Sequence, residues 1–177
     1  MNLLGISGSL RKEATNRKLL AEARRLFDPT VYVEGNLDLP LYDGDLEAAE
    51  GVPAAVKGLA DKIEVADAVV ISTPEYNQSV SGVLKNALDW VSRLDGNPWA
   101  DKPVAIMSAA AGRAGGARAQ YALRLCMQPF RPRLLQGPEV MVAASHKEFD
   151  ETGQLTGALY VKTLQELMDA LKTEIER

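Results

Sequence analysis

The chain predicts an α/β fold, a parallel sheet with helices on both faces. Short apolar runs alternate five times with segments of helical spacing. The central runs, DAVVIS and VAIMSA, are apolar at every turn of the strand, as strands buried on both faces are. The first apolar run also passes straight into a loop of small and hydroxyl residues and then into a helical pattern, a strand–loop–helix unit.

That unit spans residues 3–19, LLGISGSLRKEATNRKL, and its helix continues through Leu19, Leu20, Ala23 and Leu26. A second strand is predicted over Thr30–Val33. The segment 35–53, with Pro40, Pro53 and several acids, reads as a solvated loop. Val56, Leu59, Ala60 and Ile63 space a helix before the third strand, Ala68–Ser72. Val83, Leu84, Ala87, Leu88 and Val91 space the next helix, before the strand Pro103–Ala109. Ala117, Tyr121, Ala122 and Leu125 mark a helix before the fifth strand, Glu139–Val142. Tyr160, Leu164, Leu167, Leu171 and Ile175 step by four and three, the stripe of a closing amphipathic helix. No repeat, low-complexity tract or linker interrupts residues 1–177, so one domain is expected.

Composition narrows the function. The 177 residues suffice for a core, and 46% hydrophobic with 25% charged content is ordinary for a globular protein. A net charge of -4 argues against non-specific nucleic-acid binding. The lone Cys126 forbids an intrachain disulfide and fits a reducing compartment; on its helix face it is expected to be buried and inert. The N-terminal uncharged run ends at Arg11, too short for a signal peptide or a span, so a cytosolic chain complete from its first residue is expected.

In sheets of this kind ligands bind beyond the carboxyl ends of the strands. Ser7–Arg11 leaves the first strand there. A helix N-terminus attracts anions, so a phosphate is the natural guest. Ser9 offers a hydroxyl, Arg11 a charged fork, and Thr15 and Asn16 stand where N-cap residues belong. The plainer alternative is a βα turn with a capping threonine and a solvated arginine. Neither a Walker A loop nor a Gly-x-Gly-x-x-Gly fingerprint is present, which leaves a monophosphate. After the third strand, Pro74, Glu75, Tyr76 and Asn77 suit a flat heteroaromatic ring, with exposed peptide groups for its edge. A loop aromatic folded over the core and a solvated glutamate are the alternatives. After the fourth strand, Gly112, Gly115 and Gly116 let backbone approach a ring. Arg113 and Arg118 read as surface arginines.

Other chemistries fail on spacing. Cys-x5-Arg is missed by one residue on either side, at Arg131 and Arg133. His146 and Cys126 are each alone and make no metal site. A Ser-His-Asp triad would need His146, but no Gly-x-Ser-x-Gly elbow exists, and His146 reads as a polar loop residue.

GSLRKEATN, TPEYNQSVSGVLKNALDW and SAAAGRAGGARAQY together resemble the NADPH-dependent FMN reductase family, which includes bacterial quinone, azo-dye and chromate reductases. The resemblance runs in order over roughly residues 2–145, and the second segment is its most specific part. It implies a flavodoxin-like, doubly wound five-stranded sheet of order 2-1-3-4-5 with bound FMN. By position, Ser9, Arg11, Thr15 and Asn16 would hold the FMN phosphate. Pro74, Glu75, Tyr76 and Asn77 would run along the isoalloxazine, with Ser108, Gly112, Gly115 and Gly116 on its other side. The family also implies homodimers, often paired into homotetramers, with the helix around Leu84–Leu94 near the interface; its stripe is broad enough for core and partner. Ser81 stands where many relatives have proline, so that helix start exchanges a fixed φ for a hydroxyl cap. Ala109 and Ala110 replace residues that often carry hydroxyls.

The implied chemistry is hydride transfer from NADPH or NADH to FMN, then reduction of a quinone or similar small acceptor on the same open ring face, with ping-pong kinetics. The protein would then need no acid or base of its own. An FMN-binding electron carrier without efficient NAD(P)H oxidation is the alternative; the modest net charge favours the enzyme.

Overall fold

The computed structural model describes residues 1–177. In chain order the elements are β1 (Asn2–Ser7), α1 (Thr15–Phe27), β2 (Val31–Gly35), α2 (Gly44–Glu50), α3 (Ala54–Val65), β3 (Ala68–Thr73) and α4 (Gly82–Val91). Then follow β4 (Pro103–Ala109), α5 (Ala117–Met127), β5 (Arg133–Leu134), β6 (Val140–Val142) and α6 (Ala158–Ile175). All strand pairs are parallel, in the order β2-β1-β3-β4-β5, and β6 also pairs with β4. The predicted order therefore holds. The fifth position is the exception: β5 pairs with the start of β4 and β6 with its end.

Strand alternation builds two cores. Leu4, Ile6, Val69, Ile71, Val104 and Ile106 face α3, α4 and α5. Their neighbours Leu3, Val70, Ala105 and Met107 face α1 and α6, where they meet Leu20, Phe27, Leu164 and Leu171. Both faces of β3 and β4 are buried throughout, which is why those strands are apolar without a break.

Four expectations need correcting. The segment 35–53 is not simply a solvated loop. It contains α2, started by the Asp43 carboxylate accepting from Asp45 N at 2.9 Å. Its Pro40 carbonyl is held by Asn86 Nδ2 at 2.9 Å and Trp90 Nε1 at 2.7 Å, and Tyr42 meets the Trp90 ring edge-on. The α5 stripe is turned: Ala119, Gln120, Leu123 and Met127 are buried, whereas Tyr121 and Leu125 are exposed. Cys126 is half-buried against the α4-side core. Finally, Ser81 makes no cap; its hydroxyl is buried without a partner. In α4 itself, Leu84, Ala87, Leu88, Trp90 and Val91 are all spent on the chain's own core. No helix is long and apolar enough to cross a membrane.

Candidate functional site

At the carboxyl ends of β1, β3, β4 and β6 lies a cleft of about 400 Å³. Ser9, Arg11, Thr15, Asn16, Pro74, Glu75 and Tyr76 line it together. That volume is in the range of small-molecule sites.

The β1 loop is shaped by its own hydroxyls. Gly8 N extends the β1–β3 ladder to Ser72 O at 2.8 Å, and the Ser7 hydroxyl accepts from Ser9 N at 3.2 Å. Ser9 Oγ accepts from Arg11 N at 3.4 Å and keeps its own hydrogen free. The residue at the cap of α1 is Ala14, not Thr15, so Thr15 and Asn16 are the first two helical residues. An alanine cap offers no acceptor, and the first turn carries no acid. The N–H groups of Thr15 and Asn16 have no acceptor in the protein. Arg11 is exposed and forms no ion pair. The mouth of the cleft thus collects unpaired donors, a helix N-terminus and a free cation, a set that suits a phosphate.

Asn16 is placed here, but its amide is already engaged. Nδ2 donates to Ala109 O at 2.9 Å, and Oδ1 accepts from Ala109 N at 3.0 Å and Ser72 Oγ at 2.9 Å. Only its backbone N–H is left for a ligand. Two residues escaped sequence reasoning. Ser145, buried to 3% exposure, shares a hydrogen bond with Thr15 Oγ1 at 3.1 Å, and His146 beside it also lines the cleft. One of two paired hydroxyls must keep an undonated hydrogen, so this pair adds a donor to the mouth. No local motif marks Ser145; it reaches Thr15 across 130 residues of sequence.

The wall beside the mouth is apolar. Pro74 is buried, and Ala109, Ala110 and Ala111 lie with it along the cleft. Beyond them the chain turns tightly: Tyr76 and Ser79 exchange backbone bonds of 3.2 and 3.1 Å, and Asn77 and Gln78 both have positive φ. That is the pattern of a two-residue hairpin turn. It leaves Asn77 exposed at the tip, outside the cleft lining. Glu75 is not solvated; Arg118 N, Ala119 N and the Arg118 guanidinium all donate to it.

Ser108, Gly112, Gly115 and Gly116 do not line the cleft. Ser108 is fully buried, donating to Gly115 O at 2.6 Å and accepting from Gln120 Nε2 at 2.8 Å. Gly115 and Gly116 serve packing. Both have positive φ, and a Cβ would collide with Met141 O at the first and stand 2.7 Å from Ser108 Cβ at the second.

Known proteins resemble the chain in sequence and in fold. The chain is 41% identical, over all of its length and 96% of the relative's, to an NAD(P)H-dependent FMN reductase of Pseudomonas aeruginosa. It is 40% identical to a quinone reductase of Escherichia coli over 88% of this chain and 85% of that one. Among solved structures, FerB, a flavoenzyme NAD(P)H:(acceptor) oxidoreductase from Paracoccus denitrificans, superposes with a TM-score of 0.87 at 34% identity, covering 99% and 97% of the two chains. An archaeal flavodoxin shares the fold at 9% identity, with a TM-score of 0.65 over all of both chains. The sequence profile of the NADPH-dependent FMN reductase family matches residues 1–147, and the chain belongs to that family.

Proposed function

We propose that this protein is an FMN-dependent NAD(P)H oxidoreductase that passes reducing equivalents to quinones or similar small acceptors. The observation that carries the reading is the mouth of the cleft, where the bare start of α1 and the unpaired Arg11 stand beside an apolar wall. The family and the printed activities of its relatives supply the redox class.

When bound, FMN supplies the chemistry, accepting hydride from NADPH or NADH and delivering it to the acceptor. The residues present fit its phosphate end. Ser9 Oγ, the N–H groups of Thr15 and Asn16, the Thr15–Ser145 hydroxyl pair and the Arg11 guanidinium provide donors and positive charge. Pro74, Tyr76 and Ala109–Ala111 provide an apolar surface on which a ring would rest. A single cleft used in turn by NAD(P)H and by the acceptor gives ping-pong kinetics, checked by parallel lines in double-reciprocal plots.

The whole chain, residues 1–177, works in this reading as one flavin-binding unit. A free thiol at Cys126 agrees with a cytoplasmic setting. The exposed Tyr121 and Leu125 of α5 offer a face for a homodimer or homotetramer, which light scattering measures.

Anaerobic titration with NADPH tests the central claim. Bleaching of the flavin spectrum at one equivalent per site is the expected result. A yellow protein that NADPH and NADH do not bleach would make it an electron carrier instead. A protein that takes up no FMN would defeat both readings.

A further inference from the structure

Glu75 lines the cleft, yet its carboxylate is committed to another element. α5 begins after two left-handed glycines, and its cap residue Gly116 has no side chain to give. A helix start leaves its first N–H groups without intrahelical partners. Here Glu75 supplies the acceptor from 43 residues upstream: Oε2 accepts from Arg118 N at 3.0 Å and Ala119 N at 3.4 Å, and Oε1 from the Arg118 guanidinium at 3.3 Å. The side chain is only 13% exposed, so solvent does little to loosen these bonds.

On the other side of residue 75 stands the Tyr76–Ser79 turn. All four of its residues are exposed, and none makes a side-chain hydrogen bond. Asn77 at φ 48° and Gln78 at φ 65° occupy the left-handed region that costs most residues free energy. Pro74 limits the turn from behind, Val80 packs against the core on its far side, and the Glu75 carboxylate is the hydrogen-bonding tie on its near side.

We infer that Glu75 is a positioning residue: clasped to the start of α5, it sets where the Tyr76–Ser79 turn stands against the flavin ring. The inference rests on the flavin reading above. It assigns Glu75 to the geometry of the ring end rather than to a direct bond with the cofactor. The clasp also keeps a negative charge beside the cleft compensated by a helix N-terminus and Arg118.

The test measures binding of FMN and of riboflavin, which lacks the phosphate, to flavin-free protein, together with amide exchange at Arg118 and Ala119. Glu75→Ala should weaken both flavins alike, by about tenfold, and speed exchange at the two amides by about tenfold, the usual effect of a lost cap. Glu75→Gln keeps an acceptor oxygen and should recover both affinities to within about threefold. Glu75→Asp, one methylene short, should move in the same direction as Ala and serves if the alanine variant does not fold. Unchanged binding of both flavins in Glu75→Ala, loss of FMN alone, unchanged exchange, or no recovery in Glu75→Gln would each overturn the assignment. If the wild-type protein binds neither flavin, the flavin reading itself falls, and the exchange rates still decide whether the clasp exists.

Discussion

The Asn16 amide holds the main chain of β4 by both of its hydrogen-bonding groups and also takes the Ser72 hydroxyl of β3. Its removal leaves several buried groups unsatisfied. Asn16→Ala is expected to lower stability by about 2–4 kcal/mol, read from urea unfolding. Arg11→Ala touches no protein partner and should leave the urea curve in place. It should weaken FMN by about 1.5–3 kcal/mol, as for a lost charged hydrogen bond, with riboflavin unaffected. Ser145→Ala also removes the buried bond to Thr15, so it should lower stability in urea by about 1 kcal/mol as well as weaken FMN by about 1 kcal/mol. The contrast shows what was legible residue by residue. Ser9 and Arg11 sit in a loop whose composition announces a ligand, and both line the cleft. Asn16 lines the cleft, but three-dimensional neighbours decide that its side chain serves the sheet. Ser108 follows the same logic, since only the structure reveals Gln120 and Gly115 as its partners. Ser145 carried no signal because its importance comes from a contact with Thr15, far away in sequence.

Among the elements, α1 starts with a residue that stabilises helices poorly at that place. An aspartate at Ala14 would accept from the first turn and complement the helix dipole. Ala14→Asp should therefore raise stability by about 1 kcal/mol and at the same time expel FMN, because a carboxylate then occupies the anion's place. A rise in Tm with loss of flavin is the expected pair; a rise with flavin retained would put the phosphate elsewhere. α4 shows the opposite economy. Ser81 has φ −66°, donates its N–H to no protein group and buries an unpaired hydroxyl. Ser81→Pro should stabilise by about 0.5–1 kcal/mol, since proline adopts that φ at no cost. Element by element, the long helices and the buried strands were readable from period alone. α2 was not, because its stability comes from the Asp43 cap and from Asn86 and Trp90 gripping Pro40. The α5 face differs from its predicted stripe because its buried side includes Gln120, a polar residue that hydrogen-bonds inward.

At the scale of the molecule, the sheet's β2 edge carries a titratable group that should shape alkaline stability. Tyr32 is held well above the ordinary tyrosine range, chiefly by burial and then by the Glu34 carboxylate. The folded state keeps this phenol protonated where the unfolded chain releases the proton. Its contribution is complete below about pH 10 and is lost as pH rises further. Lys102, lowered by burial, acts in the opposite sense. The test is therefore a difference: Tyr32→Phe should lose less stability than wild type on raising the pH above about 10, in paired denaturant titrations.

The cleft is assembled from four stretches of chain, around residues 9–16, 74–76, 109–111 and 145–146. Beyond the last of them, α6 must still lie down over Leu20, Phe27 and Met107 to close the second core. The cleft and the core beneath it are therefore complete only when residues 145–146 and α6 are both in place.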